Sequence, residues 1–229
     1  MQSALLAAEA IGAGSFLGQL PAAARERLMA DATRLALPAG RVIFAAADPR
    51  PRMGVMGAGL ARAYLEGPLG RRLTVRYAAV GALIGNTSGP VAARAPLSVA
   101  AVEDCVVWEL DVELLRALGA ADGRVAWAFA DELILRLQDA HATVAANCFG
   151  SMPERVARQL LDHAADDPAG EQLVARVTHQ QLAEDLGTVR EVVSRTLASL
   201  RAAGLVETGV SEIVILDPER LAALGGRWR

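Results

Sequence analysis

Four side chains near the C-terminus stand at helical spacing and could together read DNA bases. Arg190 and Ser194 are one helical turn apart, and so are Glu191 and Arg195. Arginine can donate two parallel hydrogen bonds to O6 and N7 of guanine, and glutamate can accept one from N4 of cytosine. The chemistry that these residue types predict is therefore recognition of base edges in the major groove. Ordinary Arg–Glu pairing on a surface helix is the alternative.

Residues 177–205 contain the elements that would position these side chains. Thr178 and Gln181 have the spacing of a capping box, which predicts the start of a short helix. Gly187 follows where the chain must turn, and a second helix then begins, with apolar residues on one stripe at Val193, Leu197 and Leu200. This layout is typical of a helix-turn-helix. Thr178, His179 and Thr188 are then expected beside the DNA.

Two short β-type runs follow the second helix, at residues 205–208 and 213–216, around a turn at Gly209. A hairpin directly after a recognition helix is typical of a wing, and we expect it to lie along the phosphate backbone. The C-terminal module is therefore predicted to be a winged helix-turn-helix.

The pattern Arg-Glu-x-x-Ser-Arg at residues 190–195 resembles the recognition helix of the family of the cyclic AMP receptor protein and the fumarate and nitrate reduction regulators (CRP/FNR). The resemblance extends upstream through residues 136–161 and, more weakly, through the N-terminal half. It implies a homodimeric transcription regulator that reads an inverted repeat with half-sites such as TGTGA. It also implies contact with RNA polymerase if the regulator is an activator.

The bulk composition fits two folded units in a chain of 229 residues. No apolar run has the length of a membrane span, and residues 1–16 lack the basic start of a signal peptide. We therefore expect a cytoplasmic protein with no membrane partner. Residues 150–229 carry nine arginines against twelve acidic residues, so DNA binding requires the arginines to gather on one face.

The N-terminal half reads as short strands separated by Gly and Pro, typical of a sandwich or jelly roll. A helix is expected at residues 20–33, with Leu20, Ala24 and Leu28 as its apolar positions. The predicted fold class is α+β: a β jelly roll resembling a cyclic-nucleotide-binding domain, a long helix and a winged helix-turn-helix. The predicted boundaries are 1–121 for the effector domain, 122–148 for the dimerisation helix and hinge, and 149–229 for the DNA-binding domain.

The resemblance also locates an effector pocket, where this sequence departs from the cyclic AMP pattern. The positions it implies are Gly85, Asn86, Arg94, Ala95, Ala140 and His141. Asn86 stands where the family has a ribose-binding Glu, Ala95 follows Arg94 where the family has Ser, and residues 140–141 replace a Thr-Ser pair. Each lost contact would leave a polar group of the nucleotide unpaired, at about 1–3 kcal/mol. We therefore expect either an effector of another chemistry than cyclic AMP or no effector, and Arg94 is either an anion contact or a solvated loop residue.

Metal and redox cofactors are not expected. Two cysteines, Cys105 and Cys148, are too few for a four-cysteine iron–sulfur cluster. Haem would need an axial ligand from His141, His163 or His179; of these, His163 is expected to be solvated at a helix end and His179 to lie on the surface. Cys148, near the hinge at residues 149–153, is either a thiol switch or a small buried apolar residue.

Residues 122–147 read as one long helix with a heptad seam, formed by Ala126, Ala130, Leu133, Leu137, Ala140 and Val144. A two-fold dimer about this seam would place two recognition helices about one DNA turn (~34 Å) apart. The alternative is a helix that packs only on its own β roll.

Two other function classes remain for comparison. One is a ligand-binding regulatory module, sensing another nucleotide, a small molecule or a gas, that acts through protein partners. The other is an enzyme, for which the sequence offers no metal-ligand cluster, nucleophile–base motif or phosphate-binding Gly loop. No catalytic residue is predicted.

Overall fold

The computed structural model describes residues 15–46, 48, 51–67, 70, 72–86, 97–166, 173–209 and 211–225. The chain forms two compact units: one comprises residues 1–66 and 75–138, and the other comprises residues 67–74 and 139–229. Among the described residues, no helix is both long and apolar enough to cross a bilayer.

The first unit contains a β roll of two four-stranded antiparallel sheets, with strand orders β1-β8-β3-β6 and β2-β7-β4-β5. The strands are β1 (Thr33–Leu37), β2 (Val42–Phe44), β3 (Arg52–Ala58), β4 (Ala61–Glu66), β5 (Arg72–Ala78), β6 (Leu83–Asn86), β7 (Leu97–Ala101) and β8 (Cys105–Leu110). Phe44, Met56 and Val107 are fully buried in one core of the roll. The predicted jelly roll is confirmed.

Helices cover one side of this roll. They are α1 (Phe16–Gln19), α2 (Ala22–Ala30), α3 (Val112–Ala121) and α4 (Gly123–Phe149). Leu20, Ala24 and Leu28 are buried as predicted, in a core shared with Trp108 and Val125. The predicted helix at residues 20–33 was too long, because Asp31 ends α2 and Thr33 already pairs with Glu109 in the sheet.

The predicted long helix is confirmed as α4, which starts one residue later and ends two residues later than expected. Val125 and Ala128 lie on its packed face and belong to the core of the roll. Leu133, Leu137 and Val144 lie on another face, where their side chains are 40%, 56% and 59% exposed. The helix therefore carries an apolar stripe in addition to its packed face.

The second unit contains the winged helix-turn-helix. Its elements are α5 (Met152–Asp162), β9 (Ala164–Asp166), β10 (Leu173–Ala175), α6 (His179–Asp185), α7 (Arg190–Ala202), β11 (Val206–Thr208), β12 (Ile213–Ile215) and α8 (Pro218–Gly225). The strands form one antiparallel sheet in the order β11-β12-β10-β9. The sequence predicted the hairpin β11–β12 but missed β9, β10 and α8. Leu160, Leu182, Leu197 and Ile213 are buried in its core.

Candidate nucleic-acid interface

The turn between α6 and α7 is fixed by a capping box and a glycine. Thr178 Oγ1 accepts from the backbone N–H of Gln181 at 3.1 Å, and Gln181 Oε1 accepts from the backbone N–H of Thr178 at 2.8 Å. Gly187 has a φ of 61°, in the left-handed region that side chains disfavour. The backbone N–H of Thr188 then donates to the carbonyl of Ala183 at 2.8 Å, which closes the turn. The predicted helix start and turn are confirmed.

Helix α7 has a buried face and an exposed face. Val193, Leu197 and Leu200 are buried against the rest of the domain, as predicted. Arg190, Glu191 and Arg195 are exposed, and Ser194 is half-buried beside them. The four predicted reading residues therefore all lie outside the buried stripe of α7. A helix of 13 residues is long enough to place them in a major groove.

His179 contacts this group from the neighbouring helix. Its Nδ1 atom lies 2.9 Å from Ser194 Oγ, which joins the first residue of α6 to the middle of α7. Burial and the positive charge of Arg190 hold the pKa of His179 below its ordinary value of 6.5. His179, which was predicted to lie on the surface, is thus half-buried and hydrogen-bonded to the reading residue Ser194.

A buried hydrogen-bond cluster supports α6 from behind. Asp185 Oδ2 lies 2.9 Å from His163 Nε2 and accepts from Gln159 Nε2 at 3.3 Å. The Asp185 side chain is fully buried and that of His163 is 13% exposed. The expectation that His163 is solvated was therefore wrong, because Asp185 supplies a buried partner that makes burial of the ring favourable.

Arg155 on α5 supports the turn itself. Its guanidinium donates to the carbonyl of Leu186, the residue that ends α6. Burial lowers the pKa of Arg155. No local sequence signal predicts this contact, since 31 residues separate its two partners.

The hairpin after α7 forms as predicted. Val206 pairs with Ile215 and Thr208 pairs with Ile213 in an antiparallel register. The backbone N–H of Gly209 donates to the carbonyl of Glu212 at 2.8 Å and closes the loop. Leu205 and Val206 are buried, so the base of the wing is fastened to the domain core.

Some acidic residues outside α7 form ion pairs with nearby arginines. Arg158 lies 3.8 Å from Asp162, and Arg220 lies 3.6 Å from Asp217. Within the part of the chain that the structure describes, no ion pair is recorded for the arginines of α7, which are Arg190, Arg195 and Arg201. This distribution favours a positive reading helix, although the domain has a net negative charge.

The predicted effector positions divide into three groups. Gly85 and Asn86 lie on β6, and a Cβ at Gly85 would lie 2.3 Å from the carbonyl oxygen of Arg52 on β3, so a larger residue would part the two strands. Arg94 and Ala95 lie outside the described residues. Ala140 and His141 lie on α4, where His141 is exposed.

Two arginines that no sequence motif marks donate to the same carbonyl on β6. Arg76 of β5 and Arg136 of α4 both donate to the carbonyl of Leu83, three residues before Asn86. Arg136 also donates to Glu132 at 3.0 Å. The roll therefore holds two guanidinium groups and one carboxylate close to the predicted pocket.

Residues of the kinds that bind metal ions are dispersed over the described part of the chain. Among the described residues, no cluster of three or more His, Cys, Asp or Glu side chains is placed to hold a metal ion. Cys105 is buried and Cys148 is exposed. The expectation that Cys148 could be a small buried residue was therefore wrong, and its exposure follows from its position at the end of α4.

Two family models match the chain and together cover both units. Residues 34–122 match the cyclic nucleotide-binding domain, and residues 154–224 match the Crp-like helix-turn-helix domain. The chain belongs to the CRP/FNR family. It is a CRP-like transcription regulator with a helix-turn-helix DNA-binding domain, as the resemblance implied.

Relatives of this CRP/FNR regulator match over most of its length. The transcriptional regulator LdrP of Thermus thermophilus is 30% identical over 170 residues, which are 72% of this chain and 82% of the relative. The CRP-like cAMP-activated global transcriptional regulator of Mycobacterium tuberculosis is 26% identical over 189 residues, which are 81% of this chain and 84% of the relative. The solved structure of FixK2 from Bradyrhizobium japonicum is 25% identical, with a TM-score of 0.71, and the match covers 84% of this chain and 96% of that one.

Proposed function

We propose that this regulator acts in the cytoplasm as a homodimer that reads an inverted-repeat DNA site through Arg190, Glu191 and Arg195. The observation that carries the proposal is that these three side chains of α7 are exposed, with Ser194 half-buried among them, while Val193, Leu197 and Leu200 are buried. Bidentate arginines would contact guanines, and Glu191 would accept from a cytosine. Thr178 and Thr188 lie at the two ends of α6 and would contact phosphates.

The dimer would form along α4. Leu133, Leu137 and Val144 supply an exposed apolar stripe, and the small residues Ala126, Ala130 and Ala140 lie at the intervening heptad positions. Such a seam favours close approach of two helices. A two-fold arrangement would match an inverted repeat, since each protomer would meet one half-site. If the regulator is an activator, the bound dimer would contact RNA polymerase.

The effector domain would take a ligand other than cyclic AMP. Asn86 lacks the carboxylate that would accept from a ribose hydroxyl, and Ala140 lacks a hydroxyl for a nucleobase. We further propose that the protein has no catalytic activity and needs no metal, haem or iron–sulfur cluster.

The proposal is tested with the double variant Arg190→Ala/Glu191→Ala. Fluorescence anisotropy would compare an inverted TGTGA repeat with a scrambled duplex of the same composition. We expect wild-type selectivity of at least 1,000-fold, and its loss in the variant, because each lost bidentate contact removes about 1–3 kcal/mol.

A matched control is Arg220→Ala on α8, which removes one arginine charge outside the reading helix. Selectivity should persist in this control. Unchanged selectivity in the double variant would refute the assignment of Arg190 and Glu191 as reading residues.

A further inference from the structure

The side chain of His179 on α6 hydrogen-bonds to a predicted reading residue of α7. It is the first residue of the helix, and its Nδ1 atom lies 2.9 Å from Ser194 Oγ. Arg190, one turn before Ser194 on α7, carries the charge that acts on the ring. A hydrogen bond thus joins His179 to Ser194, and Arg190 adds a positive charge near the ring.

The surroundings of the His179 ring favour its neutral form in the free protein. Burial and the charge of Arg190 both disfavour the imidazolium form and hold the pKa of His179 below 6.5. The other titratable side chains of the two helices are Glu184, Asp185, Glu191, Arg195 and Arg201. Asp185 is buried against His163, and Glu184 lies 3.5 Å from the donor Gln180 Nε2.

We propose that His179 is a proton-linked positioning residue of the DNA interface, which takes up a solvent proton when DNA binds and thereby turns the Ser194 hydroxyl into a donor to the DNA. The proposal rests on the proposed function, since it requires α7 to enter the groove. It extends that function by making the state of one reading residue depend on pH.

The direction of the linkage follows from the charges. Phosphates bring negative charge to a site where Arg190 is otherwise the neighbouring cation, so they favour the imidazolium form. An imidazolium has N–H groups on both nitrogens, so Nδ1 donates to Ser194 Oγ. The hydroxyl hydrogen of Ser194 is then left for a phosphate or base acceptor. In the neutral ring with a bare Nδ1, that hydrogen is held by the histidine instead.

The pKa of His179 is then higher in the complex than in the free protein. The gain in affinity is therefore complete below the pKa of the free protein and is lost as the pH rises through the pKa of the complex. In the steepest region Kd should rise by up to about tenfold per pH unit for each protomer, which is the limit for one linked proton. This steep region begins below pH 6.5, because burial and Arg190 lower the pKa of His179 in the free protein from its ordinary value of 6.5.

The test uses the full-length protein and the inverted TGTGA duplex, with anisotropy measured from pH 5.5 to 8.5 at constant ionic strength. His179→Gln keeps a hydrogen-bonding side chain without a titratable group, and His179→Arg keeps a permanent charge. We expect Kd to rise with pH in the wild type and to be flatter in both variants, with tighter binding by His179→Arg at pH 8. Arg220→Gln on α8, which removes a charge outside the reading helix and no titratable histidine, should keep the wild-type slope.

A second measurement observes the ring directly. Titration of the imidazole proton signals by NMR should give a higher pKa for His179 with the duplex than without it. An unchanged or lower pKa in the complex, or a His179→Gln slope equal to that of the wild type, would overturn the proposal. Failure of the proposed function is distinguishable, since selective binding by the wild type would then be missing at every pH.

Discussion

Replacing Leu137 by Glu should separate the proposed dimer into monomers. Leu137 lies on the exposed stripe of α4, away from the face that packs on the β roll at Val125 and Ala128. The substitution should therefore leave the fold of the monomer intact. In the dimer it would remove an apolar contact from each protomer and place two carboxylates near the two-fold axis, where they repel each other.

The size of the effect follows from the exposure of the side chain. Full burial of a leucine contributes about 1.5–3 kcal/mol. Because 56% of Leu137 is exposed in the single chain, dimerisation can bury about half of it, worth about 0.8–1.5 kcal/mol per protomer. Symmetry doubles this to about 1.5–3 kcal/mol, which raises the dimer Kd roughly tenfold to 150-fold before repulsion is added.

Sedimentation equilibrium measures the dimer Kd, and circular dichroism verifies the fold. Gln138→Glu is the matched control, since it introduces the same side chain at the adjacent exposed position outside the heptad seam. We expect the wild type and the control to share one dimer Kd. A Leu137→Glu protein that stays dimeric with an unchanged Kd would refute the assignment of this stripe to the interface.

Three further predictions concern the winged domain and the thiols. Gly187→Ala should destabilise the winged domain by about 1–2 kcal/mol in thermal denaturation, because alanine disfavours the left-handed φ of 61°; an unchanged melting temperature would argue against this turn. Asp185→Ala should lower the stability of the same domain in urea by about 1–3 kcal/mol, because it leaves His163 without its buried acceptor. A change below 0.5 kcal/mol, taken as about the scatter of neutral surface substitutions, would contradict that account. Cys105 should resist a thiol reagent in the folded protein, because burial raises its pKa. The measurement uses a Cys148→Ser variant, in which Cys105 is the remaining thiol, and fast labelling of Cys105 would contradict the prediction.

Local signals made the DNA-binding motif predictable. Thr178 and Gln181 are three residues apart, and Gly187 acts within a single turn, so each signal lies within a short stretch of sequence. The apolar stripe of α7 could be read in the same way, because a helix converts spacing into a face. The predictable part of the site is thus the part whose geometry the nearest residues determine.

Contacts between distant segments were not predictable from one sequence. His163 looked like a solvated helix end, and only the fold shows that Asp185, 22 residues later, buries it. The strands β9 and β10 have three residues each, too short for an alternating pattern to be recognised. The two hydrogen bonds that Arg76 and Arg136 donate to the Leu83 carbonyl likewise depend on elements far apart in the chain.

The effector domain shows the difference between a fold and its ligand. Matching strands identify the roll, and Gly85 keeps the close approach of β6 to β3. Ligand choice instead depends on a few polar atoms of the pocket. Asn86 and Ala140 supply different polar atoms from those of the cyclic AMP pattern, yet β6 and α4 form as they do in the family fold. We therefore expect this regulator to share the architecture of cyclic AMP-activated relatives without sharing their response.

The central claim is tested most directly by equilibrium binding of the purified, ligand-free protein to a duplex with an inverted TGTGA repeat. The titration would be repeated at several salt concentrations and with cyclic AMP. The account predicts tight, sequence-selective binding that cyclic AMP does not change. Binding that appears only with cyclic AMP would contradict the assignment of Asn86 and Ala140, and weak binding that depends on salt alone would contradict sequence reading by α7 at this site.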